Sequence, residues 1–162
     1  MKSLMISLAL LVTLPCACGS VEVPGDAEDV ASYKQSLDGY FDHLNGMRLK
    51  NGYSSTVYLV MDGCKRGIAD AATYNRIFRD WRGIQDMSSV RLGDWPLYCV
   101  DIDSDSFLML SPTNGGLYLY TNKKRYWVSS PSVRNKYYFD DRKAIRLPDS
   151  IIDSIPRGFD LY

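Results

Sequence analysis

Hydrophobic positions along the chain change period more than once. Residues 4–14 are apolar apart from Ser7 and Thr13. Further on, Val30, Tyr33, Leu37, Tyr40, Phe41 and Leu44 recur at three- and four-residue spacing, which predicts a helix over 27–44 with one apolar stripe, stopped by Asn45-Gly46. After Asn51-Gly52, residues 56–61 run β-branched and aromatic without polar alternation, the pattern of a strand buried on both faces. Asp62-Gly63 turns the chain at Cys64. A second helix is predicted over 69–84, with Ala72, Ile77, Phe78, Trp81 and Ile84 facing inward.

From there the runs shorten. Segments 90–92, 97–102, 107–110, 117–121 and 126–129 are separated by Gly93-Asp94, Asp103-Ser104-Asp105, Asn114-Gly115-Gly116 and Asn122-Lys123-Lys124. Connections of that length join antiparallel neighbours. The expected fold is therefore α+β: two N-terminal helices packed on a mainly antiparallel sheet, in a single domain over 27–162. No internal repeat is evident in the order of residues. Near the end, Pro148-Asp149-Ser150 leads into one or two capped helical turns.

The N-terminal apolar run changes the picture, because it is too short for a spanning helix, which needs about 20 apolar residues. With Lys2 before it and Pro15, Ala17, Gly19 and Ser20 after it, it reads as a signal peptide over 1–19, followed by a tether over 20–26. Leu14-Pro15-Cys16-Ala17-Cys18-Gly19-Ser20 resembles a bacterial lipobox, with Cys18 as the lipidation site, although Leu14 stands one residue further from Cys18 than the usual pattern. Cleavage after Gly19 is the alternative, and it yields a soluble periplasmic or secreted domain. The expectation is a cell-envelope lipoprotein held to a membrane by its acylated N-terminus and facing the periplasm or exterior.

A mature chain of about 140 residues suffices for one core. Its 46% hydrophobic content is ordinary, and the formal charge is zero, so no global field favours nucleic acid. Charge is uneven, though. Lys123, Lys124, Arg125, Arg134, Lys136, Arg142, Lys143 and Arg146 cluster against Asp140 and Asp141, a distribution that suits an acidic protein partner.

The mature domain holds an even pair, Cys64 and Cys99, and in an oxidising compartment such a pair reads as a disulfide. The run from Val57 to Val60, then Cys64, then a predicted helix, is similar to thioredoxin-like proteins. Cys99-Val100-Asp101-Ile102-Asp103 resembles their second core strand, and Ser111-Pro112-Thr113 with Leu117 to Tyr120 looks like their proline loop and following strand. That resemblance implies a degenerate thioredoxin-like fold as the alternative architecture, with thiol or hydrolytic chemistry centred on Cys64. The redox motif is incomplete, since Cys64-Lys65-Arg66-Gly67 lacks the second cysteine.

Other candidates are weighed by what completes them. Asp101-x-Asp103-x-Asp105 resembles the opening of a calcium loop, but Ser106 replaces the turn glycine and Pro112 the bidentate glutamate. His43, the one histidine, carries no Gly-x-Ser-x-Gly or zinc spacing with it. Tyr118, Tyr120 and Trp127, beside Lys123, Lys124 and Arg125, form a candidate binding surface if the hairpin closes at Lys123. With no metal or cofactor expected, the function these features favour is a small non-catalytic binding or inhibitor module of the immunity type.

Overall fold

In the computed structural model, residues 41–87 and 99–162 are described; the stretch 1–19 expected as a signal peptide, with Cys16 and Cys18, the expected tether 20–26, residues 27–40 of the first predicted helix and the run 90–92 lie outside them. The chain folds as β1 (Arg48–Lys50), β2 (Val57–Met61), β3 (Cys64–Gly67), α1 (Ala71–Ile77) and β4 (Gln85–Asp86). It continues as β5 (Phe107–Leu110), β6 (Leu117–Thr121), β7 (Lys124–Val128), α2 (Pro131–Lys136), β8 (Ile145–Arg146) and α3 (Asp149–Ser154). Short 3-10 turns cover Asp42–Leu44 and Asp141–Lys143.

The strands form two mixed four-stranded sheets, ordered β3-β2-β1-β4 and β7-β6-β5-β8. In each, three strands pair antiparallel, a helix follows, and a two-residue strand returns parallel to the first. This arrangement overturns both expected architectures. Only α1 among the described helices reaches seven residues, so no pair of N-terminal helices lies on one antiparallel sheet. Cys64 opens strand β3 instead of a helix, which removes the local order on which the thioredoxin-like alternative rested.

The two sheets belong to one repeated unit, which reading in residue order missed. Leu49 pairs with Gln85 and Met109 with Ile145; Tyr58 pairs with Gly67 and Tyr118 with Trp127. Position 49 answers to 109 and 58 to 118, an offset of 60 carried through each ladder. The same offset relates the helix caps: Asp70 accepts from the Thr73 amide, and Ser130 from the Val133 amide. It also relates the hairpin turns, where Asp62-Gly63 and Asn122-Lys123 all take positive φ, the left-handed pair that matches strand twist. After β4 and β8 the chain comes back along the third strand, where Ile102 bridges Ile68 and Leu161 bridges Val128. Gly158 permits the second return, because a Cβ there would stand 2.4 Å from the Tyr126 ring.

Helix α1 is half the predicted length because tertiary pairing takes its continuation. Phe78 leaves helical geometry and bridges Phe139 antiparallel, so the equivalent turns of the two units face each other. The Arg79 amide donates to the Tyr138 carbonyl and the Asp140 amide to the Ile77 carbonyl. Apolar side chains of both units, including Leu59, Ile77, Phe78, Leu108, Leu119, Tyr137 and Phe139, share one core. A smaller cluster, Leu49 and Val60 with Phe41, Leu44 and Met47 against them, covers the other face of the first sheet. Val60 is therefore buried opposite Leu59, in agreement with the unalternating run at 56–61.

Arg48 joins these parts. Its guanidinium donates to the Tyr74 hydroxyl at 2.5 Å, the Asp80 carbonyl at 3.0 Å and the Arg82 carbonyl at 2.6 Å. It also stacks on the Tyr138 ring at 3.9 Å. Gly83, with φ of +75°, leaves room for it: a Cβ would come within 3.2 Å of Nη2. In Arg48→Met the stem remains while the Tyr74 hydroxyl and the Arg82 carbonyl lose their donor and the Asp80 carbonyl keeps only the Tyr74 hydroxyl, so the fold should lose about 2–4 kcal/mol in denaturant titration. Lys124→Ala removes an exposed side chain that makes no ion pair among the described residues and should leave the denaturant midpoint nearly unchanged. Equal losses in the two variants would refute the role assigned to Arg48.

Candidate functional site

Strand alternation sorts the second sheet into two faces. Leu108, Leu117, Leu119, Tyr126 and Val128 point to the core. The opposite face carries Phe107, Tyr120 and Arg125 in one cross-strand row and Ile145, Met109, Tyr118 and Trp127 in the next. Helix α3 and the return segment bring Asp153 and Arg157 against it, and a cleft of about 290 Å³ opens between Tyr118, Arg125, Trp127, Asp153 and Arg157.

Of the six residues assigned to a binding surface from sequence, Tyr118, Arg125 and Trp127 line this cleft. Tyr120 lies on the same face and packs against Phe107 with ring centroids 5.0 Å apart. Lys123 and Lys124 are exposed at the hairpin turn, away from the cleft lining, and neither makes an ion pair among the described residues. Arg125 does not join them at the tip. It reaches Asp153 at 2.5 Å and lies over the Tyr118 ring at 5.7 Å. Arg157 pairs with Asp160 at 2.7 Å. Asp153 and Arg157 carry no signal in local spacing, because only the fold brings them to β6 and β7.

A second hollow of about 320 Å³ lies where the units meet, bordered by His43, Arg48, Lys136 and Tyr138 among others. His43 is exposed in the Asp42–Leu44 turn. Nearby, the Asp80 carboxyl is held down to about 2 by hydrogen bonds, first from the Arg82 side chain, then from its amide, with the Tyr138 hydroxyl adding to them. Its equivalent Asp140 is held below the usual carboxylate range by Arg142 in the same way. Burial pushes the Tyr74 and Tyr137 hydroxyls upward, so both stay protonated, and Tyr74 donates to the Asp80 carbonyl.

Two of the three aspartates of the calcium-like string, Asp101 and Asp103, serve the fold. Asp101 accepts from the Gly67 amide at 2.6 Å, while Asp103 accepts from the Ser106 hydroxyl and the Asn122 amide. Among the described residues no three His, Cys, Asp or Glu side chains are grouped to hold a metal ion. No described helix is long and apolar enough to cross a membrane.

Cys64 and Cys99 are disulfide-bonded with Cα atoms 5.8 Å apart. The bond fastens the start of the first return segment to β3, next to the Gly67–Ile102 hydrogen bond of 2.8 Å. Thiol chemistry at Cys64 requires that bond to be open.

Comparison with protein-family models, with curated proteins and with solved structures finds no match to this chain.

The disulfide closes a loop across 35 residues, which should stabilise the fold by about 3–4 kcal/mol in the chain-entropy model. Cys99→Ala should lower the melting temperature and expose one thiol at Cys64. Two labelled thiols in the native oxidised wild-type protein would contradict the pairing.

Proposed function

We propose that the chain is an exported envelope lipoprotein, acylated at Cys18, whose domain acts as a small non-catalytic binding or inhibitor module. The observation that carries the binding role is the hairpin of β6 and β7, which bears an aromatic cleft on one face and two exposed lysines at its tip. Trp127 keeps 37% of its surface exposed there, a large apolar area for a strand position. The export reading is supported by the apolar run ending at Ala17-Cys18-Gly19-Ser20 and by a disulfide, a bond that persists in oxidising compartments. A lipid on Cys18 attaches the domain to a membrane, and the residues between Cys18 and the fold act as its tether.

Lys123 and Lys124 form the contact for an acidic protein partner. Exposed charges at such a tip accelerate encounter and are screened beyond about 8 Å at physiological ionic strength.

Cys18→Ser should move the protein from the membrane fraction to the soluble fraction. Intact mass decides the point: an unmodified mature N-terminus at Ser20 would end the lipoprotein reading. With a partner recovered from envelope extract, Lys123→Glu with Lys124→Glu should slow association roughly tenfold at low salt. An unchanged association rate would reduce the tip to a solvated turn.

A further inference from the structure

The repeated unit supplies an internal control for which side chains the fold itself needs. Tyr58 and Lys65 of the first unit answer to Tyr118 and Arg125 of the second. Both pairs place a cation over an aromatic ring, Lys65 at 4.9 Å and Arg125 at 5.7 Å. The next position on that face differs. Opposite Tyr58 stands Gly67, whose surface is occupied by the Asp101 carboxylate; opposite Tyr118 stands Trp127. The same frame therefore folds with no side chain at this place, and an indole there is not demanded by the strand, the register or the core.

The charges around Trp127 restrict what it faces. Arg125 is balanced by Asp153 and Arg157 by Asp160, so neither guanidinium offers an unpaired positive charge to an anion. The Asp153 side chain is 68% exposed and keeps acceptor capacity toward solvent. Guanidinium groups present forked donors and carboxylates paired acceptors, a set complementary to adjacent hydroxyl groups, each of which both donates and accepts. An indole face beside a tyrosine ring supplies a flat apolar platform. The ligand that combines an apolar flat face with a rim of neighbouring hydroxyls is a sugar ring.

We infer that the cleft is a binding site for a neutral pyranose saccharide, its apolar face on Trp127 and its hydroxyls on Asp153 and Arg157. The inference deepens the binding-module reading and rests on it, but it assigns a separate surface from the lysine tip. A volume of about 290 Å³ suits one or two rings.

Calorimetric titration of the mature protein with chitotriose and with cellotriose tests it. Saturable binding of at least one is expected, weakened about tenfold or more in Trp127→Gly, the residue the first unit carries at that place, and in Asp153→Asn. Since the ligand is uncharged, raising salt several-fold should change the affinity less than about twofold. Retained melting temperature in Trp127→Gly shows that the variant is folded; if it unfolds, Asp153→Asn carries the test. No saturable binding of either sugar, binding undiminished in the folded variants, or a response that vanishes with salt and is reproduced by inorganic phosphate would overturn the assignment. Lys123→Glu with Lys124→Glu should leave sugar binding unchanged, so loss of the saccharide site and loss of the acidic-partner tip are read separately.

Discussion

A guanidinium almost without access to water and without a carboxylate beside it is costly, because each unpaired buried charge forfeits several kcal/mol of hydration. Arg48 meets that cost with oriented neutral groups: the carbonyls of Asp80 and Arg82, the Tyr74 hydroxyl and the faces of aromatic rings. The acceptors lie on α1 and the turn that follows it, and the ring beneath belongs to the second unit, so satisfying Arg48 fixes all three parts at once. The turn after α1 has to point its carbonyls inward, Gly83 has to stay small, and Tyr138 of the second unit has to lie flat on the guanidinium. Leu108 takes the equivalent place in the second unit, where it joins the apolar core. The two units are thus alike in backbone and unlike at the residue that joins them.

The joint also accounts for the shortness of the helices. A seven-residue helix contributes little stability alone and is held by its cap and its buried face. Asp70 and Ser130 provide the caps, and Tyr74, Ile77 and Val133 the buried contacts. Where α1 could continue, Phe78 gains more from pairing with Phe139 and from the aromatic chain Trp81–Tyr74–Phe78–Phe139–Tyr137, whose neighbouring centroids are 4.0 to 5.7 Å apart. The helical periodicity expected after Ile77 belongs to a turn instead, and Trp81, expected to face inward, is 46% exposed there.

Local chemistry made part of this legible. The unalternating run at 56–61, the strands at 107–110 and 117–121, the hairpin turn at Asn122-Lys123 and the helical turn after Pro148 stand where pattern and turn residues put them, although that last helix lacks the side-chain cap expected for it. The cysteine pair followed from an even count. What escaped was carried by geometry without identity. Between 47–87 and 107–147, the offset of 60 preserves the same residue only at Tyr58 and Tyr118, Leu59 and Leu119, Asn75 and Asn135, Asp80 and Asp140, and Arg82 and Arg142. Caps are exchanged between aspartate and serine, and turns between Asp-Gly and Asn-Lys, so the repeat survives as function of position rather than as spelling. Strands of two residues, such as β4 and β8, are too short to show any period. Three of the five cleft residues, Tyr118, Arg125 and Trp127, were legible in the sequence; Asp153 and Arg157 reach it only through the return of the chain.

Edges explain why the proposed binding surface is a face. A sheet edge exposes unpaired amides and carbonyls and invites association with other chains. Here the third strand of each sheet is partly closed by the returning segment: Ile102 donates to Gly67 in the first unit and Leu161 to Trp127 in the second, each at 2.8 Å. The opposite edges, β4 and β8, are two residues long and offer little to an added strand. In the first unit a covalent bond reinforces the closure; in the second, the side chain that follows the closure outward is Trp127, its carbonyl engaged by Leu161 and its strand partner Tyr118 beside it. The backbone that silences the edge therefore also fixes the strand position from which Trp127 projects at the cleft. A platform fixed by its own main chain loses little conformational freedom when a flat ligand settles on it, which is the condition under which a small, shallow site can bind.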